Sequence, residues 1–247
     1  MKKEKRNIGA LIGEYGAFIA LAFLFVVLGV VSKEFRSFSN LTSLLRQASF
    51  NGLIAIGMTC VILSDGIDLS VGSVFALSAI ICAELIVAGI AAPIAILIAL
   101  VAGTLLGLVS GVLVTKGRLQ AFIATLITMS AYRGVAMILT DGKPISRLAS
   151  SIQDPNGAFL FKALGKGNVL LFEKIKLPLP AIILVLAFVL FYFILNHTTF
   201  GRKIYATGSN AKCAKLVGVN TQAIKMAVYA ISGFLSALAG LMMISRV

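Results

Sequence analysis

Residues 70–114 read SVGSVFALSAIICAELIVAGIAAPIAILIALVAGTLLGLVSGVLV. Glu84 is the only charged side chain in this stretch, and only Ala91 and Ala92 separate an apolar run at 70–90 from another at 93–114. Each run matches the roughly 20 apolar residues that a helix needs to cross a hydrocarbon layer of about 30 Å. A link this short makes the pair an antiparallel hairpin. Helices also close their own backbone hydrogen bonds, as lipid requires.

Outward from this hairpin lie five more runs, at 15–31, 47–63, 119–139, 179–195 and 226–244. The reading is an all-α membrane protein: a polytopic transmembrane helix bundle of about seven spans, forming one transmembrane domain over 1–247. Composition agrees. The chain is 59% hydrophobic and 13% charged, against about 45–50% and 25% in soluble domains. Its net charge of +13 sits in the connections rather than on a helical stripe. That pattern points to membrane lipid and topology, not nucleic acid.

The first run follows Met1 and the basic flank Lys2, Lys3, Lys5 and Arg6, as a signal peptide would. It is longer than a usual signal core and ends without an A-x-A site, so it reads as an uncleaved span. With the N-terminus cytosolic, the inner connections hold eleven Lys and Arg against nine outside. The dense flank before the first span favours the same orientation. Two connections are long. Residues 140–178 form an outer loop with two short apolar pieces, readable as surface helices or strands. Residues 196–225 are basic and carry the helical pattern Ala211, Ala214, Leu216, Val217 and Val219. This is a cytosolic loop with a short amphipathic helix suited to a membrane surface or a partner.

Small residues mark helix packing: Gly103, Gly107 and Gly111 in one span, and Ser232, Ser236 and Gly240 in another. Between the second and third runs lies SDGIDLSVGS, residues 64–73. It reads either as a turn, with Gly66 at positive φ and Asp68 capping the third helix, or as a break at membrane depth that lines a pathway. Asp65, Asp68 and Ser70 are therefore pathway candidates. Glu84 and Arg133 join them, because charges inside spans face a partner or a wet cavity. The two could pair with each other or face a polar substrate. Asn51 is a further pathway candidate, and Gln120 a lesser polar one. Cys60, Cys82 and Cys213 fit neither a disulfide framework nor a zinc site. No phosphate loop is present, and His197 has no nearby nucleophile. No catalytic residue, metal site or cofactor is expected in this chain.

Several segments resemble the sugar permeases of bacterial ATP-binding-cassette importers, of the ribose type. DGIDLSVGSVFALSA (65–79) is similar to that family's GGIDLSVGS motif. GLVSGVLVTKGRLQAFIATLITM (107–129) and RGVAMILTDGKPI (133–145) resemble its mid-chain block. GRKIYATGSNAKCAKLVGVNTQAIKMAVYAISGFLSALAG (201–240) resembles its cytosolic loop and the helix after it. The resemblance implies a transporter rather than an enzyme, in the bacterial cytoplasmic membrane, translocating a monosaccharide such as ribose. It implies three partners: an ATPase subunit that holds the ATP, an extracytoplasmic sugar-binding protein, and a second permease copy, identical or related. It also implies a coupling surface at Gly201, Arg202, Tyr205, Gly208, Asn210, Ala214, Lys215, Leu216, Gly218 and Val219. Against the family's NEEAARLSGI pattern, Lys215 stands for Arg and Val219 for Ile, while Ala211 and Lys212 replace the acidic pair. Relatives of this type carry further spans, so the sequence is expected to be part of a longer permease. The alternative from the residues alone is an ATP-independent secondary transporter or channel, whose mark would be paired intramembrane acids.

Overall fold

The computed structural model describes residues 8–143, 148, 152, 155–171 and 175–246. The basic flank at Lys2, Lys3, Lys5 and Arg6, and most of 144–154, lie outside the described residues. The chain divides into two compact units, Met1–Leu44 and Leu45–Val247. The first holds α1 (Ile8–Val31) and the opening turns of α2 (Phe38–Leu63). Between them, the Ser32 hydroxyl donates to Glu34 and Ser37 Oγ accepts from Asn40 N.

The second unit continues α2 and adds α3 (Val71–Val87), α4 (Ala92–Thr115) and α5 (Ala121–Leu139). A short helix α6 (Pro155–Lys166) and an antiparallel hairpin, β1 (Asn168–Leu171) with β2 (Ile175–Pro178), follow. Then come α7 (Leu179–His197), α8 (Thr199–Ser209), α9 (Ala211–Leu216) and α10 (Thr221–Ile244). The 140–178 connection thus contains both a helix and strands.

Among the described residues, α2, α4, α5, α7 and α10 are long and apolar enough to cross a membrane. The 15–31 run forms the described apolar stretch of α1. The 70–90 run is corrected in its bounds: α3 has 17 residues, about 25 Å at 1.5 Å per residue, at the lower end of the spanning range. It stops because Gly89, at φ +87, turns the chain. The Gly89 and Ile90 amides donate to Ile86 and Leu85, closing the helix end. The hairpin link is therefore residues 88–91, and Pro93 lies in the first turn of α4, where its missing N–H costs nothing. At the other extreme, α2 starts nine residues before the apolar run, through the polar stretch FSNLTSLLR.

The central helix is α10, packed along α4 and α3. The small-residue stripes explain the contact. A Cβ at Gly107 would strike the Tyr229 carbonyl and Gly233, one at Gly103 would strike Ala237, and one at Gly111 would press on Met226. Gly240 sits against the Phe75 carbonyl of α3, and Ser232 against Gly57 of α2. Backbones meet directly here, where dispersion drives association in lipid. At one end, Cys82, Ile86, Ala92, Ala95, Phe161 of α6 and Leu241 form a core; at the other, Cys60, Val61, Ile204, Val228 and Tyr229 form a second. Cys213 is exposed.

Candidate substrate pathway and coupling surface

The break between α2 and α3 lies inside the bundle. Asp68 is 1% exposed. Its Oδ1 accepts from the Ser70 amide at 3.0 Å and the Ser70 hydroxyl at 2.6 Å, and its Oδ2 accepts from Ser232 Oγ at 3.0 Å. Ser70 Oγ lies 3.4 Å from Ser110 Oγ, which donates to Thr128 Oγ1 at 3.0 Å. One carboxylate thereby ties the break to α10 directly, and to α4 and α5 through Ser70. The carbonyl of Ile67 accepts from Tyr229 Oη at 3.0 Å and Thr125 Oγ1 at 3.4 Å. Lys225 Nζ donates to the Asp65 carbonyl at 3.2 Å. Non-helical backbone is tolerated at depth only when its polar groups are satisfied in this way.

Two details of the turn reading change. Asp65, not Gly66, holds the left-handed conformation, at φ 60. Gly66 is small for room: a Cβ there would sit 3.0 Å from both Tyr229 Oη and Val61 Cγ1. Asp68 is also not the helix cap. Ser70 occupies the N-cap, and Asp68 holds Ser70's own amide two residues earlier.

Two grooves open on either side of Gly72. One, of about 410 Å³, is lined by Gly72, Ser73, Ala76 and Arg133, with Lys143 at its rim. The other, of about 710 Å³, is lined by Gln47, Asn51, Gly72, Phe75 and Arg246. Asn51 and Arg133 are exposed along these grooves, while Asp68 and Ser70 lie buried behind them. Glu84 is half-buried near the far end of α3 and lines neither groove; it is not brought to Arg133. Sequence reasoning missed Gly72 and Ser73, although both sit in the DLSVGS motif. It also missed Ser110, Thr128 and Tyr229, which nothing in the local sequence connects to Asp68.

The basic loop is two helices rather than one. Thr198 caps α8 by accepting from the Gly201 amide at 3.2 Å, and Asn210 caps α9 by accepting from Lys212 and Cys213. Gly201 nestles on the Ile194 and Leu195 carbonyls. Gly208 does the same on the Leu63 carbonyl and the Asp65 amide, so α8 rests on the start of the break. Gly218, at φ +84, closes α9, and Val219 N donates to Ala214 O at 3.0 Å. Ala214 is buried, while Arg202, Tyr205 and Lys215 are exposed. Leu216 and Val217 are 87% and 80% exposed at the tip.

A family profile described as "Branched-chain amino acid transport system / permease component" matches residues 40–247. The chain belongs to this permease family. Among relatives of the permease, the ribose import permease protein RbsC of Haemophilus influenzae is 45% identical over all of this chain and 74% of its own length. That of Bacillus subtilis is 39% identical over 99% of this chain and 72% of its own. The galactofuranose transporter permease protein YtfT of Escherichia coli K12 is 41% identical over 86% and 58%. No solved structure gives a significant match. The permease is thus a multi-pass membrane protein of a transporter family.

Proposed function

We propose that this permease is the membrane subunit of an ATP-driven importer and carries a monosaccharide of the ribose class. The substrate reading rests on relatives named for ribose import that match this chain along its whole length. The family profile's own description names branched-chain amino acids, but the named relatives favour a sugar.

One contact carries the mechanism. Gly208 of the basic loop lies against Leu63 and Asp65 at the mouth of the break, and the break continues to Asp68, which is bonded to α10. In this reading the basic loop, 196–225, is cytosolic. Its tip, Leu216 and Val217, inserts into an ATPase subunit, where burying such side chains supplies about 1.5–3 kcal/mol each. ATP stays on that subunit. A displacement of α8 then reaches Asp68 and the small-residue seam through packed backbone, as a rigid-body shift. Asn51, Ser73 and Arg133 offer amide, hydroxyl and guanidinium groups to sugar hydroxyls along the grooves. A second permease copy closes those grooves. An extracytoplasmic binding protein docks at the opposite end, which bears α6 and the β-hairpin.

The test is uptake of labelled ribose by cells that lack their own ribose importer and express the full-length permease with its ATPase and binding protein. Unlabelled ribose should compete best in a panel of monosaccharides. Removing residues 211–219 should abolish both uptake and stimulation of the ATPase. Unchanged uptake after that deletion, or uptake driven by an ion gradient without ATP, would overturn the proposal.

A further inference from the structure

We infer that the cavity at the basic-loop end of the bundle holds the headgroup of an anionic phospholipid. The cavity measures about 1050 Å³ and lies between the break, the α4–α5 link and the basic loop. Three cations line it, Arg118, Lys215 and Lys225, against a single carboxylate, Asp65. Lys225 is half-buried and held by the Asp65 carbonyl. Arg118 sits at φ 53, a conformation uncommon for a non-glycine residue, and this turn places it in the lining.

The rest of the wall is mixed: Thr115, Gln120, Thr221 and Gln222 add neutral polar groups, and apolar side chains fill the remainder. Ile62, Ile67 and Phe122 line the same cavity and are 59%, 46% and 48% exposed. Ile62 continues the exposed apolar surface of α2 and Phe122 that of α5, while Ile67 belongs to the break. A free phosphate would satisfy the cations and leave those side chains against water. An acidic protein segment would likewise satisfy the cations and leave Ile62 and Phe122 uncovered. A phospholipid matches both halves, with its phosphate on the cations and its acyl chains along Ile62 and Phe122. Basic pockets between transmembrane helices bind anionic headgroups by this combination. The bound headgroup would bridge Lys225, which the Asp65 carbonyl holds at the break, to Lys215 on the basic loop, bracing the joint between them. This inference does not depend on which solute the chain carries.

Native mass spectrometry of the purified permease, released from nanodiscs of mixed phosphatidylcholine and phosphatidylglycerol, tests it. The parent should retain phosphatidylglycerol in preference to phosphatidylcholine. Arg118→Gln with Lys225→Gln should lower that retention by about thirtyfold. Arg118→Gln alone should lower it partly, and Arg118→Lys should restore it. Lys212→Gln, a change outside the cavity, should leave retention at the parent level and serves as the folding control. Four results would overturn the inference: equal retention of the two lipids, retention unaffected by the Arg118 and Lys225 changes, displacement of the lipid by inorganic phosphate, or its displacement by the ATPase subunit, which would assign the cavity to an acidic protein segment.

Discussion

Asp68 concentrates the polar chemistry of the bundle interior. Its two oxygens accept three hydrogen bonds from Ser70 and Ser232, so removing it strands donors in a dry interior. Asp68→Ala should destabilise the protein by about 1–3 kcal/mol for each buried group left unpaired, read as a fall in Tm in detergent. Asp68→Asn keeps one acceptor and should lose less. Equal Tm for parent and alanine variant would show that the joint lies elsewhere. Glu84 is the contrasting acid: it reaches neither groove, so Glu84→Gln should leave uptake at the parent level, and a large loss would put it in the pathway. The DGIDLS segment announced a break, and its depth was left open in the sequence. Depth is set by Ser232, Tyr229 and Thr125 from distant helices, and chain spacing carries no record of such long-range partners. Gly66 was misread for a related reason. Glycine marks either a left-handed turn or a close approach, and only the position of Tyr229 shows which.

Elements follow from the same physics with different legibility. The spans were readable because hydrophobic length is a one-dimensional property. The polar start of α2 was not, since FSNLTSLLR looks like a loop to any hydropathy window although its leucines recur at helical spacing. The end of α3 depended on one glycine turning the chain early. The seam between α4 and α10 was legible as two small-residue stripes, though not as partners of each other. It yields a paired prediction. Gly107→Ala places a Cβ against the Tyr229 carbonyl and Gly233, forcing backbones apart at a cost of about 1–3 kcal/mol or more. Gly72→Ala meets nothing within 4 Å, so Tm should hold. Uptake should fall if the grooves beside Gly72 carry substrate. Thermal unfolding of the two variants side by side distinguishes packing from pathway.

Across the second unit, the two ends of the bundle are built differently. One end is finished by α6 and the hairpin, fastened to α2 by Arg46, whose guanidinium donates to Asn168 Oδ1 at 2.8 Å. The other carries α8 and α9 with an apolar tip that is scarcely covered by the described residues: Leu216 and Val217 are 87% and 80% exposed. Leu216→Ser with Val217→Ser should therefore leave Tm unchanged while uptake and ATPase stimulation collapse. A fall in Tm instead would mean that the tip belongs to the fold. The resemblance that pointed to this loop rested on residue patterns; the seat of Gly208 on the break could only be seen in three dimensions.

The second unit also presents α7 in an unusual way. Only Pro180 of that helix is fully buried; Leu184, Ala187, Phe191 and Leu195 touch the bundle along one stripe, and Val185, Phe188, Val189 and Phe193 point away. A saturation scan should consequently find two alphabets in one protein. On the outward side of α7 any greasy letter will serve, because a fluid neighbour has no shape to match. Along α10 the identity of each letter matters, because its neighbours are other backbones that cannot flow.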